Sequence, residues 1–168
     1  IYYSATRRTR TGALRSGIYS IGADGRNRRL LTADLRAADV AVSPLGDRIA
    51  FVAYRDNSTV LATMNVEGGD VRYLTRPDTA YQCFSPGWSP DGKSIVFASV
   101  FGPYSAIAVV DADGSNYRQL TSGARFDVDP QFSPDGKRIA FVSYYTGIPN
   151  VCTMATDGSD GVRLTDLK

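Results

Sequence analysis

The chain has 168 residues, 43% of them hydrophobic, with 19 Lys and Arg against 17 Asp and Glu, a balance that suits one folded domain and excludes a disordered chain. The longest nearly apolar stretch, Ile95 to Phe101, falls far short of the roughly 20 residues of a bilayer-spanning helix, so no membrane insertion is expected. Histidine is absent, which removes imidazole catalysis, and two cysteines alone cannot close a zinc site, so no catalytic residue, metal or cofactor is assigned.

Cys83 and Cys152 lie 69 positions apart without a C-x-x-C spacing and read as small buried hydrophobes rather than a staple or a redox pair. The sequence opens with Ile1 and shows no charged-then-apolar leader, as expected of a processed chain or a piece of a longer one. Residues 1–36 hold eight Arg against Asp24 and Asp34, a local +6 that leaves −4 for the remainder. A basic arm for nucleic acid is one reading. A solvated outer edge is the preferred one, because the chain as a whole is nearly neutral, and no nucleic-acid partner is expected.

In chain order the sequence repeats itself. The first copy, residues 1–32, runs from Ile1 and Tyr3 through Asp24-Gly25 to Leu31-Thr32. The second, 33–75, opens with Ser43-Pro44-Leu45-Gly46, reaches Ile49 and Phe51 six and eight positions after the Ser, and closes through Glu67-Gly68 to Leu74-Thr75. The third, 76–121, repeats this with Ser89-Pro90-Asp91-Gly92, Ile95, Phe97, Asp113-Gly114 and Leu120-Thr121. The fourth, 122–168, has Ser133-Pro134-Asp135-Gly136, Ile139, Phe141, Asp157-Gly158 and Leu164-Thr165. The period is 43 to 46 residues, and each period reads as four short strands. In the last copy these are Asp129 to Ser133, Arg138 to Tyr145, Val151 to Ala155 and Val162 to Thr165, punctuated by Pro- and Gly-bearing turns. No stretch has a helical period.

Such repeats predict an all-β fold, a β-propeller of four-stranded antiparallel blades. The first copy lacks the segment for an inner strand, so about 3.75 blades are expected, and only three residues follow Thr165. The expectation is a slice of a larger propeller of six or more blades, or a partner that donates the missing strand.

The string from Phe132 to Ser143, with Asp157-Gly158 and Leu164-Thr165, resembles the WD-like propeller repeat of the periplasmic TolB family. The resemblance spans the chain. It implies a non-catalytic propeller that holds a protein or peptide partner through one face or the central funnel, in the periplasm, cell envelope or extracellular space. Similar repeats also form gating domains of prolyl-oligopeptidase-like peptidases and lyase propellers, and a carbohydrate-binding propeller is a further alternative.

The two turns that bear the repeat motifs share one end of a blade. The remaining loops, which differ between copies, share the other and carry the candidate partner-binding residues Arg55, Arg76, Tyr81, Phe101, Tyr104, Arg125, Tyr144 and Tyr145. Asp127 joins them: with Asp129 two positions on, both side chains are expected on one face of a strand near the channel mouth. Trp88 is expected to pack between blades.

Overall fold

In a computed structural model, residues 1–76, 82–122, 125–145 and 147–167 are described. Among them no helix is long and apolar enough to cross a membrane. The strands are β1 (Tyr2–Arg8), β2 (Leu14–Ser20), β3 (Arg29–Leu30), β4 (Arg36–Val42), β5 (Arg48–Arg55), β6 (Ser58–Asn65), β7 (Arg72–Tyr73), β8 (Gln82–Trp88), β9 (Ser94–Phe101), β10 (Tyr104–Asp111), β11 (Arg118–Gln119), β12 (Asp127–Phe132), β13 (Arg138–Ser143), β14 (Asn150–Ala155) and β15 (Val162–Arg163). Pairing follows chain order and is antiparallel throughout: β1-β2-β3, then β4 to β7, β8 to β11 and β12 to β15. Among the described residues, the first sheet therefore has three strands and the others four, the partial propeller that the repeats imply.

The Ile-x-Phe pattern makes the blades stack. Side chains alternate along a strand, so Ile and Phe of each copy share one face. Ile49 and Phe51 pack with Ile18 of the preceding sheet. Ile95 and Phe97 meet Ala50 and Leu61, and Ile139 and Phe141 meet Val96 and Ile107. Each core is thus the seam between two blades, and each large side chain buried there contributes about 1.5–3 kcal/mol. Trp88 sits in such a seam and its indole N–H donates to the Ala41 carbonyl of the blade before, at 3.1 Å.

The Ser-Pro-Asp-Gly turns are built by one carboxylate. The Ser89 hydroxyl donates to Asp91 Oδ1 at 2.6 Å, the Lys93 amide donates to the same oxygen at 3.1 Å, and the Ser94 amide closes onto Ser89 Oγ at 2.9 Å. Ser133, Asp135, Lys137 and Arg138 repeat the same three bonds. The second copy, with Leu45 at the Asp position, keeps the turn through the Leu45 amide to Ser43 Oγ at 3.2 Å and a positive φ of 72° at Gly46.

The Leu-Thr pairs explain why the outer strands β3, β7, β11 and β15 are only two residues long. The Leu amide donates to the carbonyl of one residue on the strand next to the outer one, and the following Thr hydroxyl accepts from that same residue's amide. The clamped residues are Ile18, Leu61, Ile107 and Val151, with hydroxyl contacts of 2.9 to 3.0 Å. A side chain thereby extends the ladder where the main chain has left it, so the fourth strand of the last blade stops at Arg163 instead of reaching Thr165.

Candidate functional site at the loop end

Consecutive antiparallel strands turn at alternate ends, so the motif turns gather at one end of the blades and the variable loops at the other. Contacts between blades agree. At the motif end, the space beside Gly92 is closed by Leu45 and that beside Gly136 by Pro90. At the loop end, the Ser105 amide donates to the Arg125 carbonyl at 3.0 Å, and within the fourth blade the Tyr144 amide donates to the Phe126 carbonyl at 3.0 Å.

Those bonds bring most of the candidate residues into one cluster across the third and fourth blades. The Arg125 guanidinium lies over the Tyr145 ring at 4.1 Å, Phe126 meets Tyr144 edge-on at 5.7 Å, and Phe101 and Tyr104 contact across the β9–β10 turn at 6.2 Å. Beside Arg125 and Tyr145 lies a cavity of about 260 Å³ in the fourth blade, with Phe141, Ser143, Cys152 and Arg163 among its walls. Arg55 belongs to a second cluster. Its guanidinium lies over Tyr73 at 4.8 Å and meets Asp56 at 3.5 Å, and Arg36 lies over Tyr54 at 5.1 Å beside it. Both arginines and Tyr54 line a cleft of about 490 Å³. The β5–β6 turn that presents Arg55 has Asp56 and Asn57 both at positive φ, 49° and 62°, the backbone of a tight two-residue hairpin. Arg76 is exposed beyond β7, outside both clusters. Tyr81 lies outside the described residues.

The structure corrects the placement of Asp127. A bulge between Val128 and Gln131, with Asp129 at φ 51°, breaks the alternation of β12, so Asp127 and Asp129 do not share a face. Asp127 turns into the blade seam, 1% exposed, where the two preceding blades have Ala37 and Cys83. Among the described residues its Oδ1 has no hydrogen-bond partner, nor has Oγ of Ser143, directly opposite it in the register. Burial, and next the Asp127 carboxylate, raise the Cys152 thiol above its ordinary pKa. Burial likewise raises the Cys83 thiol, against hydrogen bonds with Thr75 and the Leu61 backbone that lower it, and both cysteines are free thiols.

Asp129 instead faces the previous inner strand. It accepts from the Ser85 hydroxyl at 2.7 Å, and the Ser85 amide donates to Asp39 Oδ2 at 3.2 Å. Asp39, Ser85 and Asp129 are the bulge residues of β4, β8 and β12, all at positive φ. Among the described residues no third His, Cys, Asp or Glu joins these two carboxylates in a group fit to hold a metal ion. Residue-by-residue reading missed this chain of contacts, as it missed Arg36, Tyr54, Tyr73 and Phe126. One signal was present: Asp39, Ser85 and Asp129 all stand four positions before the Ser of their turn motif, one polar column in an otherwise inner strand.

These features define a β-propeller segment with a constant end and a variable, arginine- and aromatic-rich end. A sequence profile of the TolB beta propeller domain matches residues 1–167, and the chain belongs to that family. It is 36% identical over 131 residues to a Tol-Pal system protein TolB of Anaeromyxobacter dehalogenans, covering 73% of this chain and 29% of that protein. It is 38% identical over 73 residues to the uncharacterized peptidase YuxL of Bacillus subtilis, 43% of this chain and 11% of that protein. The solved structure of a putative TolB from Agrobacterium tumefaciens superposes with a TM-score of 0.84 at 29% identity, over 99% of this chain and 61% of that one. The chain thus spans less than a third of the two curated relatives.

Proposed function

We propose that this chain is a non-catalytic binding propeller, which engages a protein or peptide partner at its loop end, in the periplasm or elsewhere in the cell envelope. The observation that carries the proposal is the repeated seating of exposed guanidiniums on tyrosines at that end, Arg125 on Tyr145, Arg55 on Tyr73 and Arg36 on Tyr54, against a single such arginine, Arg28 on Tyr19 and Tyr3, in the first blade's motif turn. Rigid aromatic and arginine side chains are what the energetic centres of protein interfaces favour. Kinship with TolB proteins supports the same reading.

The test is retention of envelope proteins on the immobilised chain, with the retained protein identified by mass spectrometry and its affinity then measured. Tyr144→Ala with Tyr145→Ala is expected to weaken that affinity about thirtyfold, the loss of one strong interface anchor, with the urea midpoint nearly unchanged. Equal affinity of variant and parent overturns the assignment.

We also infer that further blades complete the ring, through another segment of the natural polypeptide or a partner that supplies the inner strand beside β1. Ala140 and Val151 of the last blade are exposed, Val151 by 39%, whereas their counterparts Ala50 and Leu61, and Val96 and Ile107, are fully buried against the next blade. The likeness to YuxL favours a second reading, in which such a ring gates a peptidase domain. Sequencing the complete gene decides it: an α/β-hydrolase encoded in the same chain supports gating, and its absence removes that reading.

A further inference from the structure

Arg7, Arg8, Arg10 and Arg15 crowd the tip of the β1–β2 hairpin, and all four are exposed. Arg7 stands directly opposite Arg15 in the register, and like charges in opposed positions destabilise a strand pair. Nothing nearby relieves them. Among the described residues the ion pairs are Arg48 and Arg72 with Asp70, Arg55 with Asp56, and Arg163 with Asp166, so no carboxylate meets any of the four.

The tip also reaches further than its counterparts. Arg7 aligns with Arg55 by its distance from the Ile of the repeat. After Arg55 the chain turns back through two residues, Asp56 and Asn57, whereas β1 continues to Arg8 and then a turn over residues 9–13, closed by the Thr9 amide on the Ala13 carbonyl at 2.8 Å. The hairpin therefore extends its cations past the neighbouring loops on the same end of the propeller. The hairpin packs against β4, whose first residue, Arg36, lies at the same end as the tip. Every cation in residues 1–36 is arginine, the side chain whose planar fork grips a carboxylate or phosphate with two parallel bonds.

We propose that this hairpin tip is the contact for an acidic segment of a protein partner, a run of Asp and Glu side chains that crosses from the tip toward Arg36 and Arg55. The inference rests on the loop-end reading above and names the chemistry of its partner. An acidic peptide fits better than a nucleic acid along this path, because bases need open aromatic faces to stack on, and the tyrosines beside Arg36 and Arg55, Tyr54 and Tyr73, have guanidiniums over their rings. At the opposite end the cations are interleaved with the turn carboxylates Asp91, Asp113, Asp135 and Asp157.

The experiment is fluorescence anisotropy of a labelled oligo-glutamate peptide against the full chain, with an oligo-glutamine peptide, single-stranded DNA and phosphatidylglycerol vesicles as competing probes. Oligo-glutamate is expected to bind, steeply weakened by salt, and oligo-glutamine to be inert. Arg8→Gln with Arg10→Gln is expected to weaken binding about tenfold at low salt, and Lys93→Gln with Lys137→Gln at the far end to leave it within about twofold. A urea midpoint unchanged from the parent certifies the variants, and Arg15→Gln repeats the test on the other strand. An affinity blind to the hairpin variants overturns the inference, as does tighter hairpin-dependent binding of the DNA or the vesicles. The two proposals separate cleanly. Loss of the retained partner in the Tyr144→Ala and Tyr145→Ala variant beside oligo-glutamate binding that ignores the hairpin refutes the tip alone; the reverse pattern refutes the tyrosine cluster and leaves the tip standing.

Discussion

Replacing Thr121 by Val tests whether the Leu-Thr motif is a side-chain clamp. The two residues have nearly the same shape, so the change swaps the hydroxyl that accepts the Ile107 amide at 3.0 Å for a methyl group. Ile107 is fully buried, so its N–H is left without partner or water, a loss of about 1–3 kcal/mol. For a domain of this size each kcal/mol moves the thermal midpoint by roughly 2–4 °C, so a mid-range loss of about 2 kcal/mol puts the expected fall near 4–8 °C. Thr165→Val is the control within the same molecule. It breaks the equivalent bond to the Val151 amide, at 2.9 Å, and the hydroxyl's donation to Asn150 Oδ1, at 3.0 Å, but the Leu167 amide still donates to that oxygen at 2.9 Å and Val151 is 39% exposed, so water can take the place of the lost acceptor and the loss stays below about 1 kcal/mol. Urea unfolding reads both as shifts in midpoint at constant slope. Equal losses for Thr121→Val and Thr165→Val, or a Thr121→Val loss under about 0.5 kcal/mol, refute the clamp as an energetic device.

Three further outcomes are expected. Hydrogen bonds from Ser89 and Ser133, then from the Lys93 and Lys137 amides, hold the Asp91 and Asp135 carboxyls below the ordinary aspartate range. A folded-state pKa below the unfolded one stabilises the fold above the ordinary value and is lost as pH falls through it. The thermal midpoint should therefore be flat above about pH 5 and fall below about pH 4, and Ser133→Ala should soften that acid limb; a fall that begins near neutrality contradicts this account. Gly158→Ala should destabilise more than Gly12→Ala. Both glycines have positive φ, 93° and 85°, but a Cβ at Gly158 would lie 2.9 Å from the Leu120 carbonyl oxygen while that at Gly12 meets nothing, so Gly12→Ala isolates the backbone strain of about 1 kcal/mol and equal losses refute the steric part. Asp127→Ala installs the residue that the second blade has at Ala37 and removes an unpartnered buried oxygen. It should raise the urea midpoint or leave it unchanged, and a clear fall would show that the carboxylate has a donor.

The blades were legible because their signals are local and repeated. Ile-x-Phe, the Ser-Pro-Asp-Gly turn and the Leu-Thr pair each act within a single sheet or between adjacent sheets, so every copy restates the same physical need. Strand number, the three-stranded first sheet and the position of Trp88 followed from that alone. The bulges did not, because one extra residue in β4, β8 and β12 reverses every side chain after it without altering composition. That slip is why Asp127 and Asp129 diverge. The loop-end clusters were half legible: their exposed aromatics and cations stood out in loops that differ between copies, but Tyr73 takes part from an outer strand and Arg36 from an inner one, and no spacing along the chain announces a contact made around the end of a sheet.

Internal repetition also sorts the residues that serve the fold from those that do not. A position filled alike in every blade answers to the blade, as Thr32, Thr75, Thr121 and Thr165 do by closing the same bond. A position where one copy departs from its sisters, and gains no packing by it, has been left to some other demand. Arg8 and Arg10 extend a hairpin that its counterpart ends sooner, and Arg7 opposes Arg15 where opposed charges destabilise the pair. Those departures lie on the end of the propeller where fold requirements are weakest, the end at which a partner can be held without disturbing the seams between blades.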